Sequence, residues 1–140
     1  MFTKQQTFDT VAVHLVQQGE PSILRGSKSP RYYLEREGKV LRCAIGCLIP
    51  GDSYHAFVEG KTVGTLLKSE QLADLQPVRK VLAQHDERLL VRLQCAHDSQ
   101  VAAVGSDAEW LRECVAELRG IAKLRGLSTE ALDAALEARS

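Results

Sequence analysis

The residues able to do chemistry in this 140-residue chain fall in two short stretches, one holding Cys43 and Cys47 and the other running from Cys95 through His97 to Asp98. Thiolates from Cys43, Cys47 and Cys95 with the imidazole of His97 would satisfy tetrahedral zinc. Their spacing argues against that use. Structural zinc sites usually place paired cysteines two residues apart on a tight turn, whereas Cys43 and Cys47 enclose three residues inside an apolar run, the pattern of buried thiols on one face. The expectation is no metal and no cofactor.

A second chemistry would make Cys47 or Cys43 a nucleophile, with His97 as its base and Asp98 orienting the imidazole. Arg42 is the sole cation beside the pair, and apolar neighbours keep a thiol protonated. His97-Asp98 and the earlier His85-Asp86 also invite a metal-assisted hydrolase, but only His14 and His55 remain to complete such a site. The competing reading is helix ending, an imidazole meeting free carbonyls and a carboxylate turning the chain. The leaning is away from an enzyme, with Cys47, His97 and Asp98 as the catalytic candidates.

Residues 22–42 offer a different function. Arg25, Lys28, Arg31, Arg36, Lys39 and Arg42 stand there against Glu35 and Glu37, with Tyr32 and Tyr33 among them. Cations interleaved with aromatics can follow phosphates and stack bases, and the same letters describe a solvated hairpin face. Two C-terminal helices joined across Gly126 have the outline of a helix-turn-helix, but Glu130, Asp133 and Glu137 on the second would repel a phosphate backbone. No phosphate-binding loop, dinucleotide fingerprint or nucleophile elbow is present.

The whole chain sets the frame for these sites. Eighteen Lys and Arg balance eighteen Asp and Glu, which removes the general basic excess of a nucleic-acid binder. The longest apolar run, Cys43 to Ile49, is far shorter than the roughly 20 residues of a membrane span, so no membrane partner is expected. The first eighteen residues alternate as an amphipathic helix carrying Asp9, not as a secretory leader, which points to the cytoplasm. Four cysteines in apolar contexts read as reduced thiols.

Local patterns give a single α+β domain, predominantly α, with an N-terminal helix to residue 19, a loop and hairpin over 20–42, and a helical body over 43–140. Phe8, Val11, Ala12, Leu15 and Val16 trace one face of the first helix, with Thr3 and Gln6 as a capping box and Gly19 at its end. Arms at Arg31–Leu34 and Lys39–Arg42 form the hairpin. Cys43–Ile49 is assigned a short helix closed by Pro50-Gly51. Helices follow at Lys61–Lys68, at Glu70–Leu75 capped by Ser69, and from Pro77, with a break near His85-Asp86. Ser106 and Glu109 open a Trp110-containing helix that Gly126 stops, and Ser128 caps the last one.

The stretch Cys43-Ala44-Ile45-Gly46-Cys47-Leu48-Ile49-Pro50, followed by Tyr54 and Glu59-Gly60, resembles a group of small uncharacterised proteins of bacteriophages and prophages. In that group a hairpin precedes the cysteine run, a Leu-Gln-x-x-His-Asp pattern ends a later helix, and a Trp-containing helix ends in Gly-Leu. Leu93-Gln94, His97-Asp98, Trp110 and Gly126-Leu127 match here. Tyr32-Tyr33 stands where the group commonly has a cysteine. The resemblance carries no established activity. It implies a phage-type modulator or inhibitor of a host bacterial process, hence a non-catalytic protein-binding module with a host protein as partner. The alternatives are nucleic-acid binding by the hairpin and a thiol- or metal-dependent hydrolase around Cys47 and His97.

Overall fold

The structure is a computed structural model that describes residues 1–24, 29–99 and 105–140. Helix α1, Lys4–Gln18, starts where the Thr3 hydroxyl accepts from the Gln6 N–H and the Gln6 carboxamide accepts from the Thr3 N–H. It ends on Gly19 at φ 71°, a left-handed position that glycine adopts without a Cβ clash. Its buried stripe is the one its spacing gives, Phe8, Val11, Ala12, Leu15 and Val16.

The hairpin pairs β1, Tyr33–Arg36, with antiparallel β2, Lys39–Arg42, in the register Tyr33 to Arg42 and Arg36 to Lys39. The first arm begins two residues later than its sequence pattern suggests. Glu37 and Gly38 alone make the turn, both at positive φ (53° and 78°), as the primed two-residue turns of twisted hairpins require. Tyr32 therefore lies before the strand, buried, with its hydroxyl donating to the Lys61 carbonyl at 2.5 Å.

Cys43–Ile49 does not form the expected helix. A short apolar run has no period to distinguish its forms, and here only Gly46–Leu48 closes a 3-10 turn. Another 3-10 turn covers Ala56–Val58. Thr62 then caps α2, Val63–Leu67. Ser69 caps no helix, because its hydroxyl donates back to the Leu66 carbonyl at 2.5 Å, and the chain reaches α3, Gln76–Leu82, through a 3-10 turn at Ala73–Leu75. Pro77 sits in the first turn of α3, where its missing N–H costs no hydrogen bond.

Asp86 caps α4, Glu87–Asp98, and Ser106 caps α5, Asp107–Arg125. The Glu109 side chain reaches past Ser106 to the Gly105 N–H, so the capping box there has one arm displaced. Gly126 ends α5 at φ 68°. Helix α6, Glu130–Arg139, follows Thr129, with the Ser128 hydroxyl accepting from the Glu130 N–H. Among the described residues the fold is thus α+β and predominantly α, six α-helices and one two-stranded sheet.

Two apolar clusters fill it. One joins α1, α4, α5 and α6 around Phe8, Leu93, Trp110 and Leu118. The other lies under the hairpin end and gathers Tyr32, Ile45, Val58, Leu66, Leu75 and Leu82. Cys43–Ile49 and α4 belong to both: Ala44 and Leu93 face the first, Cys43, Ile45 and Leu90 the second. The crossing of Cys43–Ile49 against the hairpin leaves no space at Gly46, where an added Cβ would stand 1.8 Å from the Tyr32 carbonyl oxygen.

That clash involves backbone on both sides, so no side-chain rotation relieves it. Gly46→Ala is expected to cost at least about 3 kcal/mol in urea unfolding or to abolish soluble expression. Gly120→Ala, in open space on α5, should instead stabilise by about 0.5–1 kcal/mol. Equal midpoints for the two variants would refute this account of the packing.

Candidate functional site

The C-terminal turn of α4 brings His97, Asp98 and Gln94 under the cysteine segment. His97 is fully buried. Its Nε2 accepts from the Ser22 N–H at 2.9 Å, and a backbone amide can only donate, so Nε2 carries no proton. The proton is then on Nδ1, which donates to Asp98 Oδ1 at 2.7 Å. Gln94 donates to both Asp98 oxygens, at 3.1 and 3.0 Å, and accepts from the Ile45 N–H at 3.2 Å. Trp110 lies edge-on to the His97 ring and donates its indole N–H to the His97 carbonyl at 3.1 Å.

The thiols above this cluster are committed inward. Cys43 Sγ accepts from the Gly46 N–H at 3.3 Å, and Cys47 Sγ donates to the Ala44 carbonyl at 3.1 Å. Burial pushes the Cys43 thiol up to about 12, with the Gly46 hydrogen bond only partly opposing it, and pushes Cys47 up as well. Both are protonated at neutral pH. Neither has a hydrogen bond to His97, whose acceptor nitrogen is already taken. Asp98 does orient the imidazole, as a catalytic carboxylate would, but the far nitrogen meets main chain and no nucleophile.

Cys95 points outward from α4 while Cys43 is sealed inside, so the four zinc candidates divide between surface and interior. Among the described residues no three His, Cys, Asp or Glu side chains are placed to hold one metal ion. The remaining histidines serve as scaffold. His14 donates Nε2–H to the Arg42 carbonyl at 2.9 Å, and His85 Nδ1 lies 2.6 Å from the Thr7 hydroxyl with Phe2 stacked on its ring. His55 Nδ1 accepts from the Phe57 N–H at 3.1 Å.

The hairpin cations are largely paired. Arg36 is bonded to Glu20 and donates to the Ile23 carbonyl at 3.1 Å, and Lys39 reaches the other Glu20 oxygen at 3.2 Å. Arg31 Nε is 3.3 Å from Glu59 without hydrogen-bond alignment, an ion pair only. Arg42 lies 5.5 Å over the Tyr33 ring, whose hydroxyl donates to Glu35 at 2.6 Å. Tyr32 is buried and cannot stack on a base. Arg25 and Lys28 lie outside the described residues.

Several organising side chains have no signal in the sequence pattern. Glu59 accepts from the Tyr32 N–H at 2.8 Å, the Tyr33 N–H at 3.2 Å and the Tyr54 hydroxyl at 2.7 Å. Gln18 accepts from the Arg42 N–H and donates to its carbonyl, both at 2.9 Å, standing in for a strand neighbour at the end of β2. Compared with protein families, curated proteins and solved structures, the chain matches none.

His97→Leu should therefore destabilise by about 2–4 kcal/mol in urea unfolding, since it orphans the Ser22 N–H and removes one of the two side chains that donate to Asp98. A loss under 1 kcal/mol would refute the scaffold role. Burial holds the His14 and His85 imidazoles below their usual pKa. A histidine lowered in the folded state favours folding above the unfolded value of about 6.5, and that contribution is lost as pH falls through the folded value. The unfolding midpoint should drop between pH 7 and pH 5, and drop less in His14→Gln/His85→Gln.

Proposed function

We propose that the chain is a non-catalytic protein-binding module, a phage-type modulator or inhibitor of a host bacterial process that acts in the cytoplasm on a host protein. The observation that carries the first part is the Nε2 atom of His97. It is the only ring nitrogen of the Cys47, His97, Asp98 set free to act as a base, and it accepts instead from the Ser22 main chain in a fully buried position. A general base must reach the proton that it removes, and this one is occupied and sealed.

The nucleic-acid reading is weakened by a second observation. Glu20 and Glu59 pair with Arg31, Arg36 and Lys39, so binding phosphates there would break existing ion pairs. Among the described residues no helix is long and apolar enough to cross a membrane. The resemblance of Cys43–Pro50 to phage proteins supports the phage and host part of the reading.

The test combines capture and turnover. The full chain, immobilised and chemically cross-linked in bacterial lysate, should retain one protein in stoichiometric yield. Iodoacetamide at pH 7 should modify Cys95 and leave Cys43 and Cys114 unmodified in the folded state. Repeated capture of nothing, together with ester or peptide hydrolysis that disappears in Cys47→Ser or His97→Leu, would overturn the proposal.

A further inference from the structure

Among the described residues, a cluster of cations without partners stands away from the hairpin. Helix α4 presents Arg88, Val91, Arg92 and Cys95 to solvent, residues spaced so that they share one face, and α5 runs beside it. Where the start of α4 meets the end of α5, Glu87, Arg88, Val91, Arg92, Leu124 and Arg125 line one open depression of about 350 Å3. Leu124 is 75% exposed and Val91 40%, two large aliphatic side chains left in water side by side.

No ion pair or hydrogen bond engages the side chains of Arg88, Arg92 or Arg125 among the described residues, and the Arg125 Nε is withdrawn from solvent without an acceptor. Arg31, Arg36, Arg79 and Arg119, by contrast, each meet a carboxylate. Three unmatched guanidinium groups around an aliphatic pair form a surface with a definite complement. It needs apolar side chains at its centre and carboxylates at its edge, since exposed aliphatic groups are covered best by apolar ones and arginine binds carboxylates through a planar fork.

We propose that this α4–α5 face docks an acidic amphipathic helix of a partner protein, with its apolar side on Val91 and Leu124 and its carboxylates on Arg88, Arg92 and Arg125. The proposal rests on the protein-binding reading and adds the surface and the chemistry of what it binds. A helix is the shape that fits, because two side-by-side helices leave a groove along their seam, and the exposed stripe from Arg88 to Cys95 spans about 10 Å, two helical turns. A nucleic-acid backbone fits less well. It has no apolar group to cover Val91 and Leu124.

The direct test uses the full chain and a fluorescent 18-residue helical peptide with two leucines four residues apart flanked by glutamates. Its controls are the same peptide with lysines for glutamates and an 18-base-pair DNA duplex. The acidic peptide should bind at least tenfold more tightly than the lysine peptide and than the duplex. Arg88→Glu/Arg92→Glu and Leu124→Asp should each weaken it tenfold or more with unchanged circular dichroism and unfolding midpoint. Lys68→Glu/Lys80→Glu, which makes the same change in net charge on other exposed lysines, should weaken it less than threefold. Equal loss in that control, indifference to peptide charge, or tighter binding of the duplex would overturn the assignment.

The lysate capture separates this proposal from the one beneath it. A partner held by the native chain and lost by Arg88→Glu/Arg92→Glu supports both. A partner held equally by both chains refutes the face and leaves the binding module standing. No partner for either chain, with hydrolytic turnover, refutes both.

Discussion

The packing of this protein depends on one close approach, the backbone of Gly46 against the carbonyl of Tyr32. The cysteine segment must pass between two apolar clusters, and it can do so only if its main chain lies directly on the residue that leads into the hairpin. Any side chain at 46 would lift the segment away, separating Ala44 from one cluster and Ile45 from the other. Tyr32 is a fixed wall for this contact because its N–H is held by Glu59 and its hydroxyl by the Lys61 carbonyl.

A chain that crosses the interior without regular structure leaves backbone groups that helices and strands would otherwise pair. Here helix side chains take them up. Gln94 receives the Ile45 N–H, His97 the Ser22 N–H, and Gln18 with His14 the polar groups of Arg42. Leaving any one of these donors unpaired in the interior would cost more than its hydrogen bond returns net to stability. The residues that look catalytic in the sequence therefore have structural work: buried His97 and half-buried Asp98 have the orientation of a catalytic dyad, but the far nitrogen of the imidazole is closed off by the Ser22 main chain.

What the sequence made legible follows from the range of the signals. Thr3, Gln6 and Gly19 bound α1 as expected, and Ser106 and Gly126 bound α5, because capping is settled among residues three or four apart. The hairpin and the predominance of helix were also readable from local patterns. The form of Cys43–Ile49 was not, since seven apolar letters carry no period, and Ser69 turned backward because the Leu66 carbonyl at the end of α2 lay within reach of its hydroxyl. The polar hubs were hidden for a different reason: Gln18 and Arg42 are 24 residues apart, Glu59 and Tyr32 27, Gln94 and Ile45 49. The pairing of the hairpin cations was hidden likewise, since Glu20 and Glu59 lie outside the basic stretch they neutralise.

Helix α1 is closed by residues more than a hundred positions away. Gln5 exchanges two hydrogen bonds with the main chain of Ser128, and the Arg139 guanidinium donates to the Val16 carbonyl beside Gly19. During synthesis on a ribosome the first helix thus emerges long before the α6 surface on which it rests. Its apolar stripe of Phe8, Val11, Leu15 and Val16 is fully covered only after more than a hundred further residues have been made, and the four-helix cluster closes in a long-range, cooperative step.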